Sequence, residues 1–370
     1  MGGVGGLLPP QKTFLMKTFK NLYTEITSFE NLYLAYRQAR KGKRSKKDVA
    51  DFELNFETNL IELQEELHYL TYKPGDYHNF YIFEPKQRLV SAAPFRDRVV
   101  HHALCRVIEP IWEARFHYHS YACRIGKGTH AAVDQAHQWV RRYPYVLHGD
   151  IVKYFPSIDH EVLSEIISKR IKDLKVIWLV KTILESGRGV QIQEQPVLYF
   201  PGDDLFAGLR PKGLPIGNLT SQFWANVYLN ELDTFVSQKL HCHAYLRYMD
   251  DFLLFSDSKA ELNSWKQGIR DFLGERLRLL IHENKSVVLP TRTGLDFCGF
   301  VLFPDRRKLR RSSITRFMRR FKNQRRLYAE GLLSLDEMTI SVQSWIAHAA
   351  YADTRHLRSK LFRNHPLLIA

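Results

Sequence analysis

Apolar positions along this chain switch between a period near 3.6 and a period of 2, and the switches outline its elements. Thr27 and Glu30 make a capping-box pattern, predicting a helix through about Arg40 with Leu32, Tyr33 and Tyr36 on one face. A second amphipathic helix is expected from about Ala50 to Leu70, stopped by Lys73-Pro74-Gly75. The period then shortens. Tyr81 to Val90 reads as two short strands around a Pro-containing turn that carries Lys86 and Arg88. Arg96-Asp97-Arg98 opens a helix continuing through His101, Leu104 and Ile108. Tyr145 to Ile151 is a strand with Asp150 at its end, and Lys153 to Asp159 turns into a helix with Ser157 or Asp159 as N-cap. A helix pair and a loop rich in Gly and Pro (about Gly187 to Gly213) follow. Leu214 to Gln222 then enters a helix whose buried face is Leu219, Phe223 and Val227.

Tyr245 to Phe255 sets two runs of β-favouring residues around Asp250-Asp251. Asp is poor in strand interiors, so a hairpin with both acids at its turn is predicted. Two carboxylates about 4 Å apart repel by roughly 4 kcal/mol at an effective dielectric near 20. The pair is therefore either an exposed acidic turn or a site that a cation shares. A helix near Asn263 to Arg276, a loop Leu280 to Ser286 and a second hairpin, Gly294 to Phe303, come next.

With 370 residues, 45% of them hydrophobic, the chain can bury a substantial core in two or three subdomains. Its net charge of +15 points to a polyanion, and no apolar run approaches the roughly 20 residues a bilayer requires. Nucleic acid is favoured over membrane. Cys105, Cys123, Cys242 and Cys298 lack CxxC spacing, which fits a reducing cytoplasm better than a disulfide framework or a zinc knuckle. His241-Cys242-His243 cannot converge on one ion if it lies on a strand. The first eleven residues read as a disordered tail rather than a signal peptide, and Met16 is an alternative start.

Three stretches bear on anion binding. Arg40 to Lys47 is either a solvated loop or a contact to a nucleic-acid backbone. Gly126-Lys127-Gly128-Thr129-His130 is a weak phosphate loop without full P-loop spacing. Arg306 to Arg326 carries eleven basic residues, with Ile314, Phe317, Met318 and Phe321 as an apolar stripe. So much charge of one sign repels itself unless an anion is present, and Arg316, Arg319, Arg320 and Arg325 are nucleic-acid candidates.

The strand with Asp150, the Leu214-Pro215-Ile216-Gly217 turn, Tyr248-Met249-Asp250-Asp251, Lys285 and the Gly299 hairpin resemble, in this order, the blocks of reverse transcriptases. The likeness covers roughly residues 28 to 360. Most reverse transcriptases carry Gln where this chain has Ile216. Ile216 with Gly217 to Gln222 resembles the enzymes of diversity-generating retroelements, as do Ser91 to Arg98, Gly126 to His130 and Ser344 to Ala349. On this reading there is no room for an endonuclease, RNase H or maturase extension, which argues against a group II intron protein or a retroviral polyprotein.

The resemblance implies an α+β right-hand polymerase fold. Residues 1–26 are then a flexible tail, 27–303 interleave fingers and palm, and 304–370 form a basic helical thumb. The palm is an antiparallel sheet carrying the Tyr-Met-Asp-Asp hairpin, backed by helices. The resemblance also implies two Mg²⁺ ions (Mn²⁺ as a substitute) held by Asp150, Asp250 and Asp251, with Ile151 in the metal set. Lys285 corresponds to a lysine that protonates pyrophosphate. Arg88 and Lys86 take the incoming triphosphate, Phe155 is the steric gate against rNTPs, and Ile216, Gln222 and Tyr248 complete the nucleotide set. Ile216 offers packing where Gln offers hydrogen bonds, each worth about 0.5–1.5 kcal/mol net, so mispaired geometries are penalised less, and the resemblance to those retroelements implies that the errors fall at template adenines. Implied partners are a template RNA, a cDNA primer, dNTPs and a small helical accessory protein with a basic barrel. The competing readings are a bacterial reverse transcriptase of a phage-defence or retron system, and an RNA-binding relative without catalysis.

Overall fold

The computed structural model describes residues 17–83, 86–190 and 197–365. In chain order the elements begin with α1 (Tyr23–Ile26), α2 (Phe29–Ala39), α3 (Lys47–Leu54) and α4 (Phe56–His68). Next come β1 (His78–Ile82), β2 (Arg88–Ala92), α5 (Phe95–Glu113), α6 (Thr129–Arg142), β3 (Tyr145–Gly149) and α7 (Tyr154–Ser157). They continue with α8 (His160–Arg170), α9 (Leu174–Ser186), α10 (Leu219–Gln238), β4 (Tyr245–Tyr248), β5 (Asp251–Ser256) and α11 (Lys259–Leu277). The last are β6 (Val287–Pro290), β7 (Leu295–Phe297), β8 (Phe300–Leu302), β9 (Arg307–Leu309), α12 (Arg311–Ala329), α13 (Leu335–Ala349) and α14 (Arg355–Asn364). They fall into two compact units, each built from separate stretches of chain.

The first unit holds residues 17–111 with 159–190 and 215–220. Residues 17–26 of the expected tail are built into it instead. Phe19 exchanges backbone bonds with Arg170 and Lys172, both at 2.8 Å, and α1 follows. Residues 1–16 lie outside the described residues, as do 84–85 at the tip of the β1–β2 hairpin. The cap of α2 is Ser28, not Thr27. The Ser28 hydroxyl accepts from Asn31 N–H at 3.2 Å, while the Thr27 hydroxyl donates back to the Tyr23 carbonyl. The single helix expected from Ala50 to Leu70 is two, because Asn55 (φ −131°, ψ 45°) leaves helical geometry between α3 and α4. At the other candidate cap, Asp159 is the one that opens α8, accepting from the backbone of Glu161 and Val162.

The second unit holds residues 112–158, 197–214 and 221–365. Its centre is a four-stranded antiparallel sheet in the order β4-β5-β3-β6. Val146, Leu246, Leu253 and Phe255 pack one face against Ala132, Val133, Ala136 and Val140 of α6. Alternation along a strand sends Tyr245, Arg247, Phe252 and Leu254 to the other face. There the Tyr245 hydroxyl and Arg247 reach Asp233 of α10, and the Tyr228 hydroxyl of α10 donates to the Leu277 carbonyl at 2.6 Å. Residues 252–255 are buried throughout, as a strand covered on both faces requires.

The expected Gly294–Phe303 hairpin is β7–β8, and β9 joins it as a third strand that the sequence pattern did not announce. Beyond it the stripe of α12 is buried as anticipated. Phe317 stacks on Trp345 of α13 at 3.8 Å and on Phe321 at 5.6 Å, and the Phe362 ring of α14 meets all three edge-on.

Candidate active site

Register brings two of the expected acids together. Gly149 of β3 pairs with Phe252 of β5, so the next residues outward on the two strands are Asp150 and Asp251. Residues opposed in an antiparallel pair have Cα atoms about 4.5–5.5 Å apart. Gly149 makes this approach feasible. A Cβ there would run into the Phe252 ring, so any other side chain would push β3 off β5.

Asp250 sits in the two-residue turn between Tyr248 and Asp251, which pair across β4–β5. The first turn residue, Met249, has φ +58°, a conformation an unbranched non-glycine residue rarely adopts. A fully buried guanidinium holds it. Arg247 forks onto Asp233 with two bonds of 2.7 Å, and its Nη1 donates to Asn226 Oδ1 at 3.1 Å and to the Met249 carbonyl at 3.0 Å. Asn226 in turn donates to the Ala122 carbonyl at 2.8 Å. Burial alone pushes the Arg247 pKa down, and the carboxylate of Asp233 outweighs it, so the net shift is upward.

The backbone of Asp150 is equally fixed. Its N–H donates to the buried Ser286 hydroxyl at 3.1 Å, and its carbonyl accepts from His282 N–H at 2.8 Å. Lys285, beside Ser286, donates its ammonium to the Asp150 carboxylate. A cation thus already sits on that acid. The His148 ring lies 3.4 Å from the Asp251 carboxylate. Ile151 is buried and bridges to Ile281.

Other expected residues of the second unit are placed as follows. Phe155 is half-buried, while its neighbour Tyr154 is buried and donates to the Ala225 carbonyl at 2.5 Å. The Tyr248 hydroxyl meets the Thr129 hydroxyl at 2.9 Å at the start of α6, and Gln222 is exposed on α10. Lys127 is not poised for phosphate. It lies over the Tyr118 ring at 3.6 Å and donates to that residue's carbonyl. On α12, Arg311, Arg316 and Arg319 line a shallow depression of about 430 Å³ with Ser312 and Thr315. Arg320 and Arg325 lie over Phe317 and Phe321.

The first unit brings Ile216 beside β2. The Ile216 carbonyl accepts from Ser91 N–H at 2.8 Å, and Asn218 clamps both sides of the same strand end, to Ala93 N–H and the Ser91 carbonyl. Gly217 (φ +117°) is required here, because a Cβ would meet Val90 at 2.8 Å. The Ile216 side chain is half-buried, and Arg88 and Lys86 are exposed on the hairpin.

A hard cation fits the acids of the second unit. The donors are carboxylate oxygens, which suit Mg²⁺ or Mn²⁺ over softer metals, and Lys285 already supplies positive charge to one of them. Among the described residues no three His, Cys, Asp or Glu side chains form a protein-only cage, His241-Cys242-His243 included. Mg²⁺ uses one or two carboxylates and takes further oxygens from substrate and water.

The family model described as reverse transcriptase (RNA-dependent DNA polymerase) matches residues 73–302, more than half of the chain. This chain belongs to the reverse transcriptase family. Membership implies a polymerase palm-and-fingers fold, with which the mixed helix and sheet agree. This reverse transcriptase-family chain is similar to Protein YkfC of Escherichia coli (strain K12), at 25% identity over 283 residues, covering 66% of this chain and 71% of YkfC. It is also similar to the group II intron-encoded protein LtrA of Lactococcus lactis subsp. cremoris, at 27% over 352 residues, covering 77% of this chain. The chain spans 57% of LtrA's length. A shorter stretch is 32% identical over 91 residues to the mitochondrial Nuclear intron maturase 1 of Arabidopsis thaliana, covering 25% of this chain and 13% of that protein. Among the described residues no helix is long and apolar enough to cross a membrane.

Sequence reasoning did not find Arg247, Asp233, Asn226 or Ser286. An arginine inside the apolar run Tyr245 to Phe255 was the one available signal, since a strand buried on both faces tolerates a charge only with a buried partner.

Proposed function

We propose that this chain is an RNA-directed DNA polymerase that copies a structured template RNA into cDNA, error-prone at template adenines. The observation that carries the polymerase reading is the opposition of Asp150 and Asp251 across the ends of β3 and β5, with Asp250 in the strained turn beside them. Asp150, Asp250 and Asp251 hold the divalent ions, with Ile151 at the edge of the set. The ions supply charge neutralisation and activation of the primer hydroxyl when bound. Lys285, which donates to Asp150, hands its proton to the leaving pyrophosphate on this reading. Arg88, whose planar fork suits phosphate, and Lys86 take the triphosphate. Phe155, half-buried rather than core, packs under the sugar and excludes a 2′-hydroxyl; Tyr248 and Gln222 complete the nucleotide set. Residues 27–303 serve as fingers and palm, and 304–370 as a thumb whose Arg316, Arg319, Arg320 and Arg325 hold template and primer.

The error-prone part rests on Ile216 and on flanking motifs that resemble those of diversity-generating retroelements, and a small helical accessory protein belongs to the same reading. A second reading, a reverse transcriptase of group II intron type, is favoured by the similarity to LtrA. Primer extension on RNA with Mg²⁺ or Mn²⁺, followed by sequencing of the cDNA, separates them. Incorporation with substitutions concentrated opposite template adenine supports the retroelement enzyme. Incorporation without that bias leaves a reverse transcriptase of the second kind, and no incorporation with either ion leaves an RNA-binding relative.

A further inference from the structure

The first unit carries a cationic surface that the polymerase reading leaves unused. Its base is one face of α5, where Arg98, His102 and Arg106 recur every fourth residue, about 6 Å apart along the axis. The loop before α3 is exposed from Lys41 to Lys47. Lys43 is close enough to Arg98 and His102 for their charges to act on one another. Burial, then Arg98, push the Lys43 ammonium below its ordinary value. Burial first, then Lys43, Arg98 and Arg106, hold His102 at about 4. At neutral pH the imidazole is therefore uncharged among three cations.

The charge balance of the patch is incomplete. Asp48 pairs with Arg98 and acts on Lys43. Glu53 is engaged by Arg40 and faces Arg44. Arg106 is oriented through its Nε by the neutral amide of Asn31 at 2.9 Å, which fixes the guanidinium without neutralising it. Arg98 lies over the Phe95 ring, and its buried Nε has no partner. Pre-oriented guanidiniums beside a neutral imidazole suit discrete phosphate groups, whose oxygens take the Arg fork in pairs.

We propose that Lys43, Arg98, His102 and Arg106 form a binding site for the phosphodiester backbone of RNA, extended by the exposed Lys41, Lys46 and Lys47. The site uses none of the α12 arginines and does not depend on catalysis. RNA is favoured over an anionic membrane because the guanidiniums are held in fixed orientations, whereas a lipid surface asks only for loose cations. A bound phosphate also offsets the charges of Lys43, Arg98 and Arg106, so the His102 pKa rises on binding.

The test uses the full chain carrying Asp250→Ala, so that failure of the polymerase reading leaves it unaffected. A short oligoribonucleotide is titrated at several salt concentrations while the His102 ring proton is followed by NMR, assigned with His102→Gln. RNA should raise the His102 pKa by more than one unit. Lys43→Gln with Arg106→Gln should lower the slope of log affinity against log salt by roughly 1.5, at about 0.7–0.9 per phosphate contact. Should that double variant unfold, Lys41→Gln/Lys46→Gln/Lys47→Gln, on exposed positions, must lower the slope as well. Unchanged slopes overturn the site. A His102 shift produced by inorganic phosphate or a dNTP but not by RNA makes it a small-anion site instead. Binding to anionic phospholipid vesicles without binding to RNA also overturns the assignment.

Discussion

Arg247, with no exposed surface, donates to the backbone carbonyl of Met249 at 3.0 Å while its other nitrogens are locked onto Asp233. The strained residue beside Asp250 is thus tied through one guanidinium to the middle of α10. Removing one partner of a buried pair leaves the other charge unpaired, at a cost of about 3–5 kcal/mol. Arg247→Met should therefore lose about that much in denaturant unfolding. Arg247→Met with Asp233→Leu should regain most of the stability, yet copy RNA at least about tenfold more slowly, because the Met249 carbonyl has lost its donor. Wild-type turnover in the double variant would show that the hairpin tip does not need Arg247.

Lys285 and Asp150 make a half-exposed ion pair, which contributes about 0–1 kcal/mol. Lys285→Ala should leave the unfolding midpoint nearly unchanged. If the ammonium protonates pyrophosphate, single-turnover incorporation should fall by about 10²–10⁴, the usual range for general acid catalysis. A rate within a few-fold of wild type would leave Lys285 a charge partner only.

Phe155 is half-buried beside the buried Tyr154. Phe155→Ala should raise rNTP incorporation relative to dNTP by about tenfold or more while costing less stability than the roughly 3–5 kcal/mol of a core Phe→Ala change. An unaltered preference for dNTP, accompanied by a stability loss of that full size, would instead make Phe155 an ordinary core ring.

What could be read in the sequence was what local periodicity encodes. The Asp250 hairpin and the stripe of α12 follow from apolar spacing over a few residues. The break at Asn55 gave no such signal, since Asn is tolerated within a helix and the apolar face continues past it. The cap at Ser28 was masked by Thr27, whose hydroxyl turns back into α1. The supports of the acids lie far away in the chain. Ser286 meets Asp150 across 136 positions, and such pairings are set by register between distant strands.

Acid should unfold the protein through its buried imidazoles. Burial first, then His102 and Arg98, bring His101 from 6.5 to about 3. Between those values the unfolded chain takes up a proton that the folded chain refuses. Stability is thus full above about pH 6.5 and falls as the pH drops, by about 1.4 kcal/mol per unit for one such group. Melting temperature should be flat from pH 7 to 8 and decline below about 6.5. His101→Gln should make that decline shallower, and an equal slope in the variant would contradict the burial argument.

Nucleotide transfer, on the proposed function, is carried by the acids at the ends of β3 and β5. Primer extension on an RNA template by Asp250→Ala beside the unaltered chain, with RNA binding measured on both, tests this most directly. Incorporation with Mg²⁺ or Mn²⁺ should be abolished in the variant while its RNA affinity is retained. Polymerisation retained by Asp250→Ala would contradict the assignment of these acids.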